Sequence, residues 1–279
     1  MVQWNKTDSE VKRMSMVEGF LRELTHRVAN PVAYRLHTDT ASLPLNAAIG
    51  SRIQIHFLEQ KRCIHCGRIV KKLYQNGYCF PCVRTLAECD LCIVKPHECH
   101  YHQGTCRNPN WGEAHCMIPH YVYLAVSSGV KVGLTRKGRE FTRWVDQGAV
   151  KAMLFAEVPT RKQAGELEME LAKRIPDKTN WRKMLADDIE DADLEALRNE
   201  LMPAVEADWR PFLVSDATVH YFSYPRMEKA QVDLTTLALD RQPHIEAELI
   251  GVKGQYLLLS NGVFPVKRHA GYKVQISVL

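Results

Sequence analysis

Several things are missing from this chain. No run of eighteen or more apolar residues occurs in its 279 residues, so no segment can span a bilayer as an apolar helix. Met1 to Glu10 lacks the apolar core of a secretion signal, which makes a reducing cytoplasm the expected location. There are no internal repeats and no low-complexity linkers, so repeat arrays are set aside. Charge of one sign is not in large excess: a net charge of +5 permits a polyanionic partner without demanding one. Cysteine is absent from about four-fifths of the length, because all nine lie between Cys63 and Cys116. Core cysteines would be scattered, and in a reducing compartment clustered thiols read as metal ligands rather than disulfides.

What is present suits a folded protein, with 46% hydrophobic and 25% charged residues. The length allows two to four compact modules. The expected class is α+β multidomain, with boundaries at 1–60 (helix and strands), 61–118 (cysteine-rich), 119–205 (mixed α/β) and 206–279 (β-rich). Residues 8 to 28 read as a helix with Val17, Phe20, Leu21 and Leu24 on one side. Val32 to His37 and Arg52 to Leu58 read as strands, the second alternating Ile53, Ile55 and Phe57 with polar residues. Near the end, Tyr256 to Ser260 and Val263 to Val266 flank Asn261-Gly262, a hairpin signal. This last part is expected to form a small β-barrel or sheet, completed by the strands before Cys63.

The strongest chemical signal is Cys63-Ile-His-Cys66 and Cys79-Phe-Pro-Cys82, with twelve residues between the pairs. Two Cys-x-x-Cys knuckles joined by a hairpin make a zinc ribbon with a closed, structural site. Gly67 follows the second thiol where positive φ is often needed, and Asn76-Gly77 offers the turn. A third knuckle, Cys89 and Cys92, points to a second zinc, for which Cys106 and Cys116 are the expected partners. Cys99, or one of the nearby histidines, is the substitute. Lys61, Arg62, Arg68, Lys71 and Lys72 surround the first site and offer phosphate contacts. Ordinary solvated basic side chains explain them equally well.

Between His120 and Trp181 the order is β-hairpin, helix, strand, helix. The loop Ser127-Ser128-Gly129 sets the register: Val126 with Val130, Leu124 with Val132, Val122 with Leu134 on the core face. Tyr121, Tyr123 and Lys131 then share the opposite, non-core face, and Gly133 leaves room beside Tyr123. On the next helix Phe141, Trp144 and Val145 point inward, with Arg139, Arg143 and Gln147 on the outer side and Gly148 closing the helix. Val150, Ala152, Leu154, Ala156 and Val158 alternate on one strand face. Thr160 and Gln163 start a helix whose apolar stripe is Ala164, Leu167, Leu171 and Ile175. Glu168 falls within that stripe, an expensive place for a carboxylate unless it is paired or holds a metal. The acidic stretch Asp187 to Glu200 reads as a solvated helix face.

The segment resembles a GIY-YIG nuclease domain over about sixty residues. Tyr121-Val122-Tyr123 stands where that family has its first motif and Lys131-Val132-Gly133 where it has the second. Arg143 matches the helix arginine, Glu168 the metal-binding glutamate and Asn180 the late asparagine. The resemblance implies a divalent-metal-dependent endonuclease acting on DNA or RNA, with Mg²⁺ or Mn²⁺ on Glu168 and catalytic roles for Tyr121, Tyr123, Lys131, Arg143 and Asn180. Two positions depart from the pattern: Lys131 replaces the second motif's tyrosine, and Gln147 stands where histidine or tyrosine is common. The whole chain also resembles a bacterial family known only as a domain of unknown function, through the segments around Cys89–Cys116, Lys131–Arg136, Arg143–Ala149 and Asp177–Trp181. Three readings stay open: a metal-dependent endonuclease, a nucleic-acid binder that does not cleave, and a zinc-stabilised protein-interaction module.

Overall fold

The computed structural model describes residues 15–175, 179–228 and 230–279. The chain forms two compact units: the first takes the chain through Phe80 and again from Tyr224 on, the second runs from Pro81 to Ser223. Together they are a mixed α/β arrangement of several sheets. No helix among the described residues is long and apolar enough to cross a membrane.

In the first unit the early strands are β1 (Ser15–Phe20), β2 (Thr25–Arg27), β3 (Ala33–His37), β4 (Ser42–Pro44) and β5 (Arg52–Lys61). The late ones, numbered after the second unit's strands, are β10 (His244–Lys253), β11 (Tyr256–Leu259), β12 (Gly262–Pro265) and β13 (Tyr272–Val278). Six of them make one antiparallel sheet in the order β1-β13-β5-β10-β11-β12, and β2-β3-β4 make a second sheet. The central rows explain the sheet. Val17, Ile276, Ile55 and Ile245 lie side by side across four strands, and Val278, Ile53 and Ala247 form the next row. All seven are buried, whereas the alternate positions carry Gln54, His56 and Glu246. Burying one face of a period-2 pattern fixes the register.

The helix expected over 8–28 is replaced, where the structure describes it, by β1, a short connection and β2; residues 1–14 lie outside the described residues. Val17, Phe20, Leu21 and Leu24 have helical spacing, yet Met16, Val17, Glu18 and Gly19 alternate out and in. Gly19 has φ +146°, and a Cβ there would come within 2.6 Å of Asp39 Oδ1. A helix cannot use that backbone conformation. The late hairpin forms as expected, but with Ser260-Asn261 as its loop and Gly262 as the first residue of β12. Gly262 lies so close to the Thr235 carbonyl that a side chain there would collide with it.

The short helix α1 (Phe80–Thr85) starts at the last residue of the first unit's early segment, and the second unit continues with a run of 3₁₀ turns and α2 (Pro109–His115). Its body is β6 (His120–Val126), β7 (Val130–Arg136), α3 (Glu140–Asp146), β8 (Lys151–Val158) and α4 (Arg161–Leu171). Then come α5 (Trp181–Ala186), α6 (Leu194–Ala204) and β9 (His220–Tyr221). The sheet order is β7-β6-β8-β9, all antiparallel. The β6–β7 register is the one the loop dictates, down to Tyr123 opposite Gly133 and Ala125 opposite Lys131. Val122, Leu124, Val126, Val132 and Leu134 pack with Ala164, Leu167, Leu171 and Ile175 in one core.

Two expectations about this sheet are corrected. The alternation in β8 breaks: Val122 pairs with Ala156 but Tyr123 with Leu154, so Phe155 is an extra residue in a bulge. Met153, Phe155, Ala156 and Val158 therefore all join the α4-side core, and Leu154 turns to the face of Tyr123. The second face, expected to lie outside the core, is also buried at Tyr123 and Lys131. Trp144 of α3 covers it, edge-on to Tyr123 at 5.9 Å between ring centroids, with Phe222 and His220 packed behind Trp144. The tail of the acidic stretch is α6, capped by Asp193, and its acidic side chains are exposed.

Candidate metal centre and buried polar cluster

The first cysteine site is assembled by backbone geometry. β5 delivers Cys63, whose N–H donates to the Arg68 carbonyl at 2.9 Å, while Gly67 N donates back to the Cys63 carbonyl at 3.1 Å. This tight turn needs Gly67 at φ +73°, as expected. Tyr74 and Tyr78 close the intervening hairpin through Gln75, Asn76 and Gly77, all at positive φ. Cys79 and Cys82 then follow, Cys82 inside the first turn of α1.

The sulfurs of Cys63, Cys66, Cys79 and Cys82 all lie within 4.8 Å of one another. Cys66 and Cys79 are 3.6 Å apart, close to the ~3.8 Å expected between thiolates on a tetrahedral zinc. Burial alone would raise the Cys63 thiol. The N–H groups of Cys66, Cys79 and His65 outweigh it and hold the thiol at about 6. The four residues can therefore hold a metal ion, and a four-sulfur donor set suits zinc.

The remaining five cysteines lie in the stretch of 3₁₀ turns and α2. Cys92, Cys99, Cys106 and Cys116 line one small cavity together with Asp90 and His100; Cys89 is buried and is not in its lining. Burial pushes the Cys92 thiol up to about 11, with the charges of Asp90, Cys99 and Cys116 adding to the effect. Cys116 is pushed up for the same first reason, and again by Cys99 and Cys106.

In the mixed α/β body, Tyr123 and Lys131 meet at one acceptor. Gln147 Oε1 accepts from Tyr123 Oη at 2.8 Å and from Lys131 Nζ at 2.6 Å. Gln147 thus points inward, not out with Arg139 and Arg143. It can do so because α3 ends one residue earlier in a Schellman turn, with Gly148 N on Val145 O at 2.9 Å and Ala149 N on Trp144 O at 3.0 Å. Tyr123 is fully buried and Lys131 nearly so. Burial pushes the Tyr123 phenol up; Arg143 acts against this and the Glu168 charge adds to it. Arg143 is exposed and Glu168 is half-buried.

Tyr121 is half-buried nearer the edge, where Lys137 bonds Glu157 at 2.7 Å and lies 5.8 Å from the Tyr121 ring. Asn180 caps α5, its side chain accepting from Arg182 N at 3.1 Å and Lys183 N at 3.3 Å. Tyr123 and Lys131 therefore meet at Gln147, and the charges of Arg143 and Glu168 act on the Tyr123 phenol, while Tyr121 and Asn180 have partners of their own. Sequence reasoning missed Arg161. Its guanidinium feels the charges of Cys116 and Cys92 and also those of Arg143 and Glu168. Only its place at the start of α4 was visible in the sequence.

Of the basic residues around the first metal centre, Lys61 pairs with Asp240 and Arg62 with Asp39. Arg68, Lys71 and Lys72 are exposed, beside the exposed apolar side chains of Ile69 and Phe80.

Residues 50–274 match the family described as a protein of unknown function, DUF2797, and at that coverage the chain belongs to it. No match emerges among curated proteins or among solved structures.

Proposed function

We propose that this is a zinc-braced nucleic-acid-binding protein in which Arg143 receives a phosphate of the bound strand. Zinc at Cys63, Cys66, Cys79 and Cys82 would have a structural role, locking the turn geometry around exposed Arg68, Lys71 and Lys72. The observation that carries the reading is the cluster at Gln147. Two buried donors, Tyr123 and Lys131, are spent on one carbonyl, beside an arginine that is left at the surface. A guanidinium held over a rigid polar base is suited to bidentate phosphate contact. The β-hairpin, helix, strand, helix order of β6 to α4 is the order that a GIY-YIG-like reading of this unit expects.

Fluorescence anisotropy with labelled DNA and RNA tests the proposal. Binding should weaken steeply as salt rises, and Arg143→Gln should weaken it further while leaving the fold intact. Salt-independent or absent binding would sink the proposal and leave a zinc-stabilised protein-interaction module.

A second reading, phosphodiester cleavage, is favoured by one observation: the charges of Arg143 and Glu168 both act on the Tyr123 phenol. Glu168 would hold Mg²⁺ or Mn²⁺, and Arg143 would stabilise charge on the phosphate. Tyr123 and Lys131 are too deeply buried to touch the substrate, so their part would be positioning. Cutting that requires added Mg²⁺ or Mn²⁺ and is lost in Glu168→Gln supports this reading. Binding without cutting, or cutting unchanged in Glu168→Gln, removes it.

A further inference from the structure

The segment from Leu86 to Ile118 has little to hold it. It contains three-residue 3₁₀ turns at Leu91–Ile93, Pro96–Glu98 and Tyr101–Gln103, the seven-residue α2, and no strand. Its exposed large side chains include Leu91 and Val94. A stretch this poor in core needs a cross-link or a metal to keep one conformation.

We propose that Cys92, Cys99, Cys106 and Cys116 form a second thiolate metal site, with zinc as the natural occupant and Cys99 as a ligand in place of Cys89. All four line one cavity of about 10 Å³, room for an ion or a single water and nothing larger. Cys99 and Cys116 are buried, and Cys92 and Cys106 are partly so. The other polar residues at the cavity have protein partners. Asp90 accepts from Arg107 Nε at 2.8 Å and from Leu91 N at 2.6 Å, and His100 Nδ1 is 2.8 Å from Thr105 Oγ1. Asp90, Cys92 and His100 have donor atoms within 4.8 Å of one another, a spacing that no three of the four thiols share, so binding must draw the thiols together, and Asp90 and His100 are the competing ligands that the experiment must separate.

Arg161 gives an independent argument. Its Nη2 donates to the Ile93 carbonyl at 2.7 Å, and its Nε is buried without a hydrogen-bond partner. A buried guanidinium needs a counter-charge, and Cys116, Cys92 and Glu168 are the groups whose negative charge favours it. Four thiolates around a divalent cation carry net negative charge and supply it. The packing is close enough to transmit this: a Cβ on Gly165 of α4 would be 2.6 Å from both His97 N and Pro96 Cβ.

The test is zinc content of the full chain by native mass spectrometry and elemental analysis, together with zinc X-ray absorption. The wild type should hold two zinc ions per chain in an all-sulfur shell. Cys66→Ser should lose one, Cys99→Ser should lose the other, and Cys89→Ser and His100→Ala should keep both. A single zinc in the wild type that disappears in Cys66→Ser overturns the proposal. So does loss of the second zinc in Cys89→Ser or His100→Ala with retention in Cys99→Ser. Should Cys99→Ser fail to fold, the wild-type spectrum and Cys89→Ser decide together: a nitrogen or oxygen contribution to the shell, or loss of the second zinc in Cys89→Ser, overturns the assignment, and sulfur alone with both ions kept in Cys89→Ser upholds it.

Discussion

Lys131 donates to Gln147 Oε1 at 2.6 Å inside the second unit, and the Tyr123 hydroxyl shares that acceptor. An ammonium this deeply buried depends on the groups around it. Gln147→Leu, similar in bulk but without the carbonyl, should cost roughly 2–4 kcal/mol. Chemical denaturation of the two proteins measures the difference. Adding Lys131→Met should restore part of the loss, because the buried charge goes with it; equal destabilisation of the single and double variants would show that the cost does not come from the Lys131 charge.

Gly133 faces Tyr123 across the hairpin, and a Cβ there would come within 2.5 Å of the phenol oxygen and 2.6 Å of Cζ. The ring cannot retreat, because Trp144 backs it. Gly133→Ala is expected to destabilise the protein by about 1–3 kcal/mol through overpacking. In Tyr123→Leu the obstruction is gone, so Gly133→Ala should cost much less in that background, a coupling that a double-mutant cycle reads directly.

Zinc removal should act locally before it acts globally. Stripping the metal with a chelator leaves four thiols crowded within 4.8 Å. Hydrogen exchange at the amides of Cys63, Ile64 and Gly67, which close the knuckle, should then accelerate roughly tenfold or more, while the β6–β8 amides keep their protection. Unchanged exchange at the knuckle would mean that the turns hold themselves without metal.

Acid should weaken the first unit through His269. Its ring is buried; Nδ1 bonds the Pro265 carbonyl at 2.9 Å and Nε2 accepts from Leu239 N at 3.2 Å. With Nε2 occupied as an acceptor the ring is neutral, and burial lowers its pKa to about 4. The unfolded chain takes up the proton first, near the ordinary value of about 6.5. Stability from this group is therefore complete above that value and falls as the pH drops toward 4, by roughly 3 kcal/mol. His269→Gln should flatten the slope of stability against pH across that window in denaturant titrations.

Local pattern carried much of the second unit. A three-residue loop ending in glycine sets a hairpin register by itself, which is why the pairs from Val126–Val130 to Tyr121–Thr135 were legible. The Phe155 bulge was not, because inserting one residue leaves no mark on composition and only shifts which neighbours face the core. β1 was misread because Val17, Phe20, Leu21 and Leu24 satisfy helical spacing as well as a strand followed by a turn. What decides is pairing with β13, more than 250 residues away in the chain. At the candidate site the residue types were readable, but the inward turn of Gln147 was not. It depends on where α3 stops, and helix ends are the least certain part of any pattern. The choice between Cys89 and Cys99 likewise depends on the path of irregular turns, which spacing does not encode.

The placement of β5 has a consequence for synthesis. Residues 52–61 leave the ribosome early, yet both strands that flank them, β10 and β13, are made only after residue 243. The intervening unit holds its own core and can fold while it is being translated. During that interval the β5 edge, with Ile53, Ile55 and Phe57, is unpaired and open to wrong partners. Ribosome-bound intermediates arrested before β10 should therefore recruit chaperones at β5, and release of β13 should end that dependence.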